Sequence, residues 1–152
     1  MLEVEQQQQQ LENTSRSRGE KRTSIHSAGA EQCGALISEQ TPPLECDLEA
    51  SKGLELLDSA GLTSAPVVDD NGVLVGIVFL STLARLRQVA ELEVEDAMIT
   101  DIVCVSRGAS VADIARLMAR HHIERVPVTS EDGHLIGVVS AMDVVCWLAQ
   151  RL

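Results

Sequence analysis

Ala65-Pro66-Val67-Val68-Asp69-Asp70-Asn71-Gly72-Val73-Leu74-Val75-Gly76-Ile77-Val78 finds its outline again at Val126-Pro127-Val128-Thr129-Ser130-Glu131-Asp132-Gly133-His134-Leu135-Ile136-Gly137-Val138-Val139. Pro66 and Pro127, Gly72 and Gly133, and Gly76 and Gly137 are each 61 positions apart. Proline and glycine fix backbone shape, so their coincidence at one spacing means that the same turns recur. In each copy a proline begins an apolar run, as it can where a strand starts. Asn71-Gly72 or Asp132-Gly133 follows, dipeptides that accept positive φ and mark a hairpin. A second apolar run then returns, Val73 to Phe79 or Leu135 to Ser140.

Outward from the hairpins the copies stay alike. A short strand is expected near Leu44 to Cys46 and near Ile102 to Val105, with a helix after each. In the second copy Ser110 stands three residues before Asp113 as in a capping box, and Val111, Ile114, Ala115, Leu117 and Met118 recur at helical spacing. In the first copy Leu54, Leu56 and Leu57 make a less regular face. Ala50-Ser51 matches Ala109-Ser110 only at a spacing of 59, which predicts a helix or preceding loop about two residues shorter in the first copy. Closing helices are expected over 81–89 and 141–150, with Val89 to Met98 as connector, helical at its end. One such unit is too small to cover its own sheet and helix faces, whereas two packed together can.

The whole chain has 152 residues, a hydrophobic fraction of 45% and a net charge of −11. From Thr41 onward 8 basic residues face 17 acidic ones. That surface repels a phosphodiester backbone, and with Phe79 and Trp147 as the only aromatic residues there is no stacking platform for single strands, so nucleic acid is not expected as a partner. The core must be aliphatic. No apolar run approaches the length of a membrane span, and no secretory signal is visible, so a cytoplasmic setting without membrane attachment is expected. Cys33, Cys46, Cys104 and Cys146 form no C-x-x-C pair and have no metal-ligand spacing; Cys104 and Cys146 lie in apolar runs and read as reduced core thiols. Residues 1–35 read as a disordered or low-complexity tail, with glutamines from Gln6 to Gln10 and a basic cluster of Arg16, Arg18, Lys21 and Arg22.

Ser140 and Asp143 stand at the end of a strand and the start of a helix, three residues apart, so both can face one hollow. A carboxylate can accept from both hydroxyls of a ribose and the serine adds a contact; equally, the aspartate can serve only the helix N-terminus. His121 and His122 end a helix, and adjacent residues on a helix point apart, which disfavours zinc. No nucleophile elbow, phosphate-binding glycine loop or spaced acid/base pair is present, so no catalytic residues are expected.

Val94 to Trp147 resembles a CBS (cystathionine-β-synthase) domain. The resemblance rests on Val94-Glu95-Asp96-Ala97-Met98-Ile99-Thr100, Ile123-Glu124-Arg125-Val126-Pro127-Val128 and Gly137-Val138-Val139-Ser140-Ala141-Met142-Asp143-Val144. Thr41 to Leu86 resembles a second copy through Ala65-Pro66-Val67-Val68-Asp69 and Gly76-Ile77-Val78. It implies an α+β fold of two tandem βαββα repeats, 36–90 and 91–152, packed through their sheets with pseudo-two-fold symmetry. It further implies a regulatory Bateman module, commonly a homodimer, that binds AMP, ADP, ATP or another adenosyl ligand between the repeats and signals to an effector protein; no other cofactor is implied. Ser140 and Asp143 would hold the ribose. His121, His122 and Arg125 would meet the phosphate, with affinity falling from pH 6 to pH 8. Thr100, Ile102, Val103 and Val126 would line the adenine pocket. In the first copy Phe79 and Thr82 replace the serine and aspartate, and Ala60 and Gly61 replace the histidines, so one competent site per chain is expected. The alternative is a ligand-free dimerisation or protein-interaction module.

Overall fold

A computed structural model describes residues 33–37 and 41–152. The first repeat runs β1 (Leu44–Glu45), α1 (Ala50–Ser59), β2 (Ser64–Val68), β3 (Leu74–Phe79) and α2 (Leu80–Leu86). After a four-residue α3 (Val94–Ala97), the second repeats the order as β4 (Val105–Ser106), α4 (Val111–His121), β5 (Arg125–Thr129), β6 (Leu135–Ser140) and α5 (Ala141–Ala149). Each forms a three-stranded sheet, β1-β2-β3 and β4-β5-β6, parallel then antiparallel.

The spacing of 61 holds throughout, which corrects the expected two-residue shortening. Leu44 pairs with Val67 as Val105 pairs with Val128, and the N-caps are Glu49 and Ser110. Ala109 therefore lies one residue ahead of its cap, not on the helix. Only the glycine of each hairpin dipeptide takes positive φ, at 79° for Gly72 and 85° for Gly133. The loop is a four-residue turn closed by Gly72 N–H on the Asp69 carbonyl, or Gly133 N–H on that of Ser130, and the left-handed glycine is its last residue. The Asp69 carboxylate accepts from the amides of Asn71 and Val73, and the Ser130 hydroxyl accepts from that of His134.

The two repeats pack through their sheets around a pseudo-two-fold axis, and the hairpin tips mark it. Leu74 N–H donates to the Gly133 carbonyl and Leu135 N–H to that of Gly72, both at 3.0 Å. Each bond is the other with 61 added to one residue and taken from its partner.

The segment leading each repeat crosses to the other half. Val94 and Ala97 of α3 lie in the first core with Leu44, Leu57, Val67, Val78 and Leu83. Cys33, in a 3-10 turn over Cys33–Leu36, lies in the second core with Val105, Ile114, Leu117, Val128 and Val139. The mates match bond for bond: Val94 N–H donates to the Leu48 carbonyl and Cys33 N–H to that of Ala109. The expected tail is thus corrected at its end, because a fully buried Cys33 gains a full share of apolar burial; residues 1–32 lie outside the described residues. Two further surface assignments differ. Leu56 and Cys146 are exposed, because each falls on the outer side of its helix.

Among the described residues no helix is long and apolar enough to cross a membrane, and no group of three His, Cys, Asp or Glu side chains could hold a metal.

Candidate functional site

The symmetry axis leaves two related hollows, each built from both repeats. The larger, about 590 Å³, is lined by Ser140, Ala141, Met142 and Asp143 where β6 enters α5, by Glu124, Arg125 and Val138, and across from them by Thr41 and Ala60 to Thr63. Its volume falls in the range of small-molecule sites. The smaller, about 50 Å³, is lined by Thr63, Ser64, Ile77 and Phe79 of the first half and Val103, Ile123, Glu124 and Arg125 of the second. Phe79 occupies the place that Ser140 holds in the larger hollow and is itself buried. What remains has room for water but not for a nucleoside.

Ser140 and Asp143 are held in a reciprocal capping box. The Asp143 amide donates to Ser140 Oγ at 3.1 Å, and the Ser140 amide donates to Asp143 Oδ2 at 2.8 Å. The helix-capping role anticipated for Asp143 is therefore real, and it also holds the carboxylate at the wall of the large hollow. One carboxylate oxygen takes the cap bond, and Oδ1 accepts no hydrogen bond among the described residues. Arg125, opposite Ser140 in the β5–β6 register, donates from its guanidinium to the Thr41 hydroxyl. Burial lowers the Arg125 pKa and the nearby Asp143 opposes that shift. The two are not ion-paired, whereas Arg116 and Asp113 are, on the surface of α4.

The structure brings Ser140, Asp143 and Arg125 together and separates the rest of the expected set. His121 and His122 line neither hollow; their two-fold mates Ala60 and Gly61 line the large one. The histidines are thus absent from the lining of the cleft that holds Asp143. His121 is half-buried, and burial, then Arg120, lowers its pKa. His122 caps α4 in the left-handed conformation, φ 52°, where its mate Gly61 has φ 67°. Thr100, Ile102 and Val103 follow Ile99, whose amide and carbonyl pair with Ile77 on β3 of the first half. Val103 lines the small hollow. Val126 is fully buried in the second core, because successive strand residues face opposite ways and Arg125 takes the cleft side. Reading along the sequence missed Thr41, Ala60 to Thr63 and Glu124. The signal that finds them is the repeat itself: a two-fold axis builds each site from unlike segments of the two copies.

A family model for the CBS domain matches residues 40–88 and 94–150. The chain belongs to the CBS domain family. Among solved structures, the CBS-pair protein CBSX2 from Arabidopsis thaliana superposes with a TM-score of 0.74 at 26% identity, covering 80% of this chain and 96% of that one. The complex of CBSX2 with AMP does so at 0.72 and 28%, covering 80% and 98%. The cytosolic domain of the Mg2+ channel MgtE with ATP gives 0.68 and 25%, over 77% of this chain and 48% of that one. Among curated proteins, inosine-5'-monophosphate dehydrogenase of Halobacterium salinarum is 30% identical over 60% of this chain, and the glycine betaine/carnitine/choline transport ATP-binding protein OpuCA of Bacillus subtilis is 29% identical over 76%. This chain spans only 18% and 30% of those two proteins.

Proposed function

We propose that this CBS pair is a regulatory module rather than an enzyme, one that holds an adenosine-containing ligand in the large cleft and passes its occupancy to a partner protein. The observation that carries this reading is the convergence of Asp143, Ser140 and Arg125 on one wall of a 590 Å³ cleft whose other wall comes from the opposite repeat. Asp143 accepts from the ribose hydroxyls through its uncapped oxygen, Ser140 adds a neighbouring contact, and Thr41 and Val138 flank the base. A ligand bridging the halves favours the closed arrangement of two repeats, which gives its binding a mechanical consequence. Support comes from the AMP and ATP held by two relatives of the same fold. The small hollow, closed by Phe79, takes no nucleoside, so each chain binds one ligand. Cys33, Cys46, Cys104 and Cys146 form no disulfide among the described residues, which suits a reducing cytoplasm.

Thermal melting with a panel of adenosine compounds tests this. A ligand at 100 times its Kd adds about 2.7 kcal/mol to stability. Asp143→Ala should abolish the shift. Asp143→Asn, which keeps an acceptor for the Ser140 amide, should lose binding while melting close to the unmodified chain. A panel without effect, or an unchanged shift in both variants, contradicts the proposal.

One observation favours assembly alongside binding. Met142, Val145 and Leu148 lie at three-residue intervals along α5, all exposed, and offer an apolar face for pairing two copies. Sedimentation of Val145→Glu as monomer against a dimeric parent tests that homodimer; a parent that sediments as a monomer refutes it.

A further inference from the structure

The two ends of the large cleft differ in charge, and that difference bears on which adenosyl compound it takes. On one side α1 ends in a Schellman motif: Gly61 N–H donates to the Asp58 carbonyl at 3.1 Å and Leu62 N–H to that of Leu57 at 2.9 Å. A helix C-terminus carries partial negative charge, and here Ala60 and Gly61 bring no side-chain cation to offset it. The other side is lined by two acidic residues, Asp143 and Glu124, the latter shared with the small hollow. Arg125 is the one cation lining the cleft among the described residues, and its guanidinium is half-buried and committed to the Thr41 hydroxyl. Two acidic residues against one basic residue in the lining give the walls a net negative formal charge, on a chain whose net charge is −11. In the other half the same backbone position carries imidazoles, with His122 held in a left-handed conformation that its mate leaves to glycine.

We infer that the Ser140–Asp143 cleft selects adenine nucleosides whose 5′ substituent is neutral or cationic, a thioether or a sulfonium, over nucleotides bearing 5′ phosphates. The inference rests on the adenosyl-binding reading above and narrows it. A 5′ phosphate brings a charge of roughly −1.5 to −2 into walls that already repel it. A thioether brings none, and a sulfonium is attracted.

Calorimetric titration of the full chain with 5′-methylthioadenosine, S-adenosylmethionine, AMP and ATP decides it. The first two should bind at least about tenfold more tightly than AMP, with ATP weakest, and added salt should narrow the gap by screening. AMP or ATP binding as tightly as 5′-methylthioadenosine overturns the inference while leaving the adenosyl reading intact. No binding by any of the four defeats that reading itself. A graft gives a second arm. Ala60→His with Gly61→His supplies the imidazoles of the other half; a Cβ at Gly61 meets nothing within 4 Å, and its strained φ of 67° is one that His122 already adopts, at 52°, in the equivalent place. At pH 6 the graft should tighten AMP by about fivefold or more and leave 5′-methylthioadenosine within about twofold. A folded graft with unchanged AMP affinity overturns the inference.

Discussion

Phe79 and Ser140 stand at the same place on two copies of one strand, each followed by a helix, and the two halves diverge from that point. Ser140 caps its helix, and with Asp143 it leaves an open, polar cleft. Phe79 caps nothing, buries its ring and fills the matching space. The backbones barely differ, from the hairpin tips to the exchanged leading segments. A duplicated fold can thus keep its architecture while one copy fills a hollow that the other leaves open.

Substitution at that pair should break the equivalence most sharply. Phe79→Ala removes a buried ring and should cost about 3–5 kcal/mol. Ser140→Ala removes a cap at a half-buried position and should cost about 1 kcal/mol. Urea unfolding midpoints compare the two, and equal losses would mean that Phe79 is not a packing residue.

The glycines in the return strands come next. A Cβ on Gly76 would lie 2.6 Å from Met98 Sδ and 2.9 Å from the Ile99 carbonyl oxygen, which is pinned by its bond from Ile77 N–H. On Gly137 it would strike only the Ile37 side chain. Gly76→Ala should therefore cost about 1–3 kcal/mol and Gly137→Ala less, since a side chain can move where a paired carbonyl cannot. The reverse order in thermal unfolding would contradict this packing.

His121 against Ala60 gives a pH signature. Burial lowers the folded-state pKa of His121 from 6.5, so the unfolded chain binds the proton more readily. Its contribution to stability is complete above about pH 6.5 and is lost as pH falls through the lower folded value. His121→Ala should flatten that part of the stability profile between pH 7 and 5. An unchanged profile would show the imidazole to be solvated. The smallest effect belongs to the αL pair. His122→Gly relieves a left-handed residue and should stabilise by up to about 1 kcal/mol, while Gly61→Ala should destabilise by a similar amount. Opposite signs in melting temperature are the check.

Much of the fold could be read from spaced prolines and glycines, because Pro66, Gly72 and Gly76 constrain backbone wherever they occur. The face of α4 was equally plain, since Val111, Ile114, Leu117 and Met118 repeat at helical intervals and all are buried. The crossing segments were not. Cys33 and Val94 sit in short apolar stretches, Cys33 to Ile37 and Leu92 to Ile99, whose sequence does not say which half they join, and only the two-fold axis reveals them as mates. The site was half legible. Ser140 and Asp143 are neighbours in sequence because a capping box is local. Their companions Thr41 and Ala60 to Thr63 arrive through the packing of one repeat on the other. Alignment of like with like also grouped the histidines with Asp143, whereas they are absent from the lining of the cleft that holds it.

Amide chemical-shift mapping with 5′-methylthioadenosine tests the shared cleft most directly. One ligand per chain should perturb Ala60 to Thr63 together with Ser140 to Asp143, two segments about 80 residues apart in sequence that line the same hollow. Perturbation of His121 to Ile123 with Phe79 to Thr82 instead would place the ligand in the other half and contradict the site assigned to Asp143.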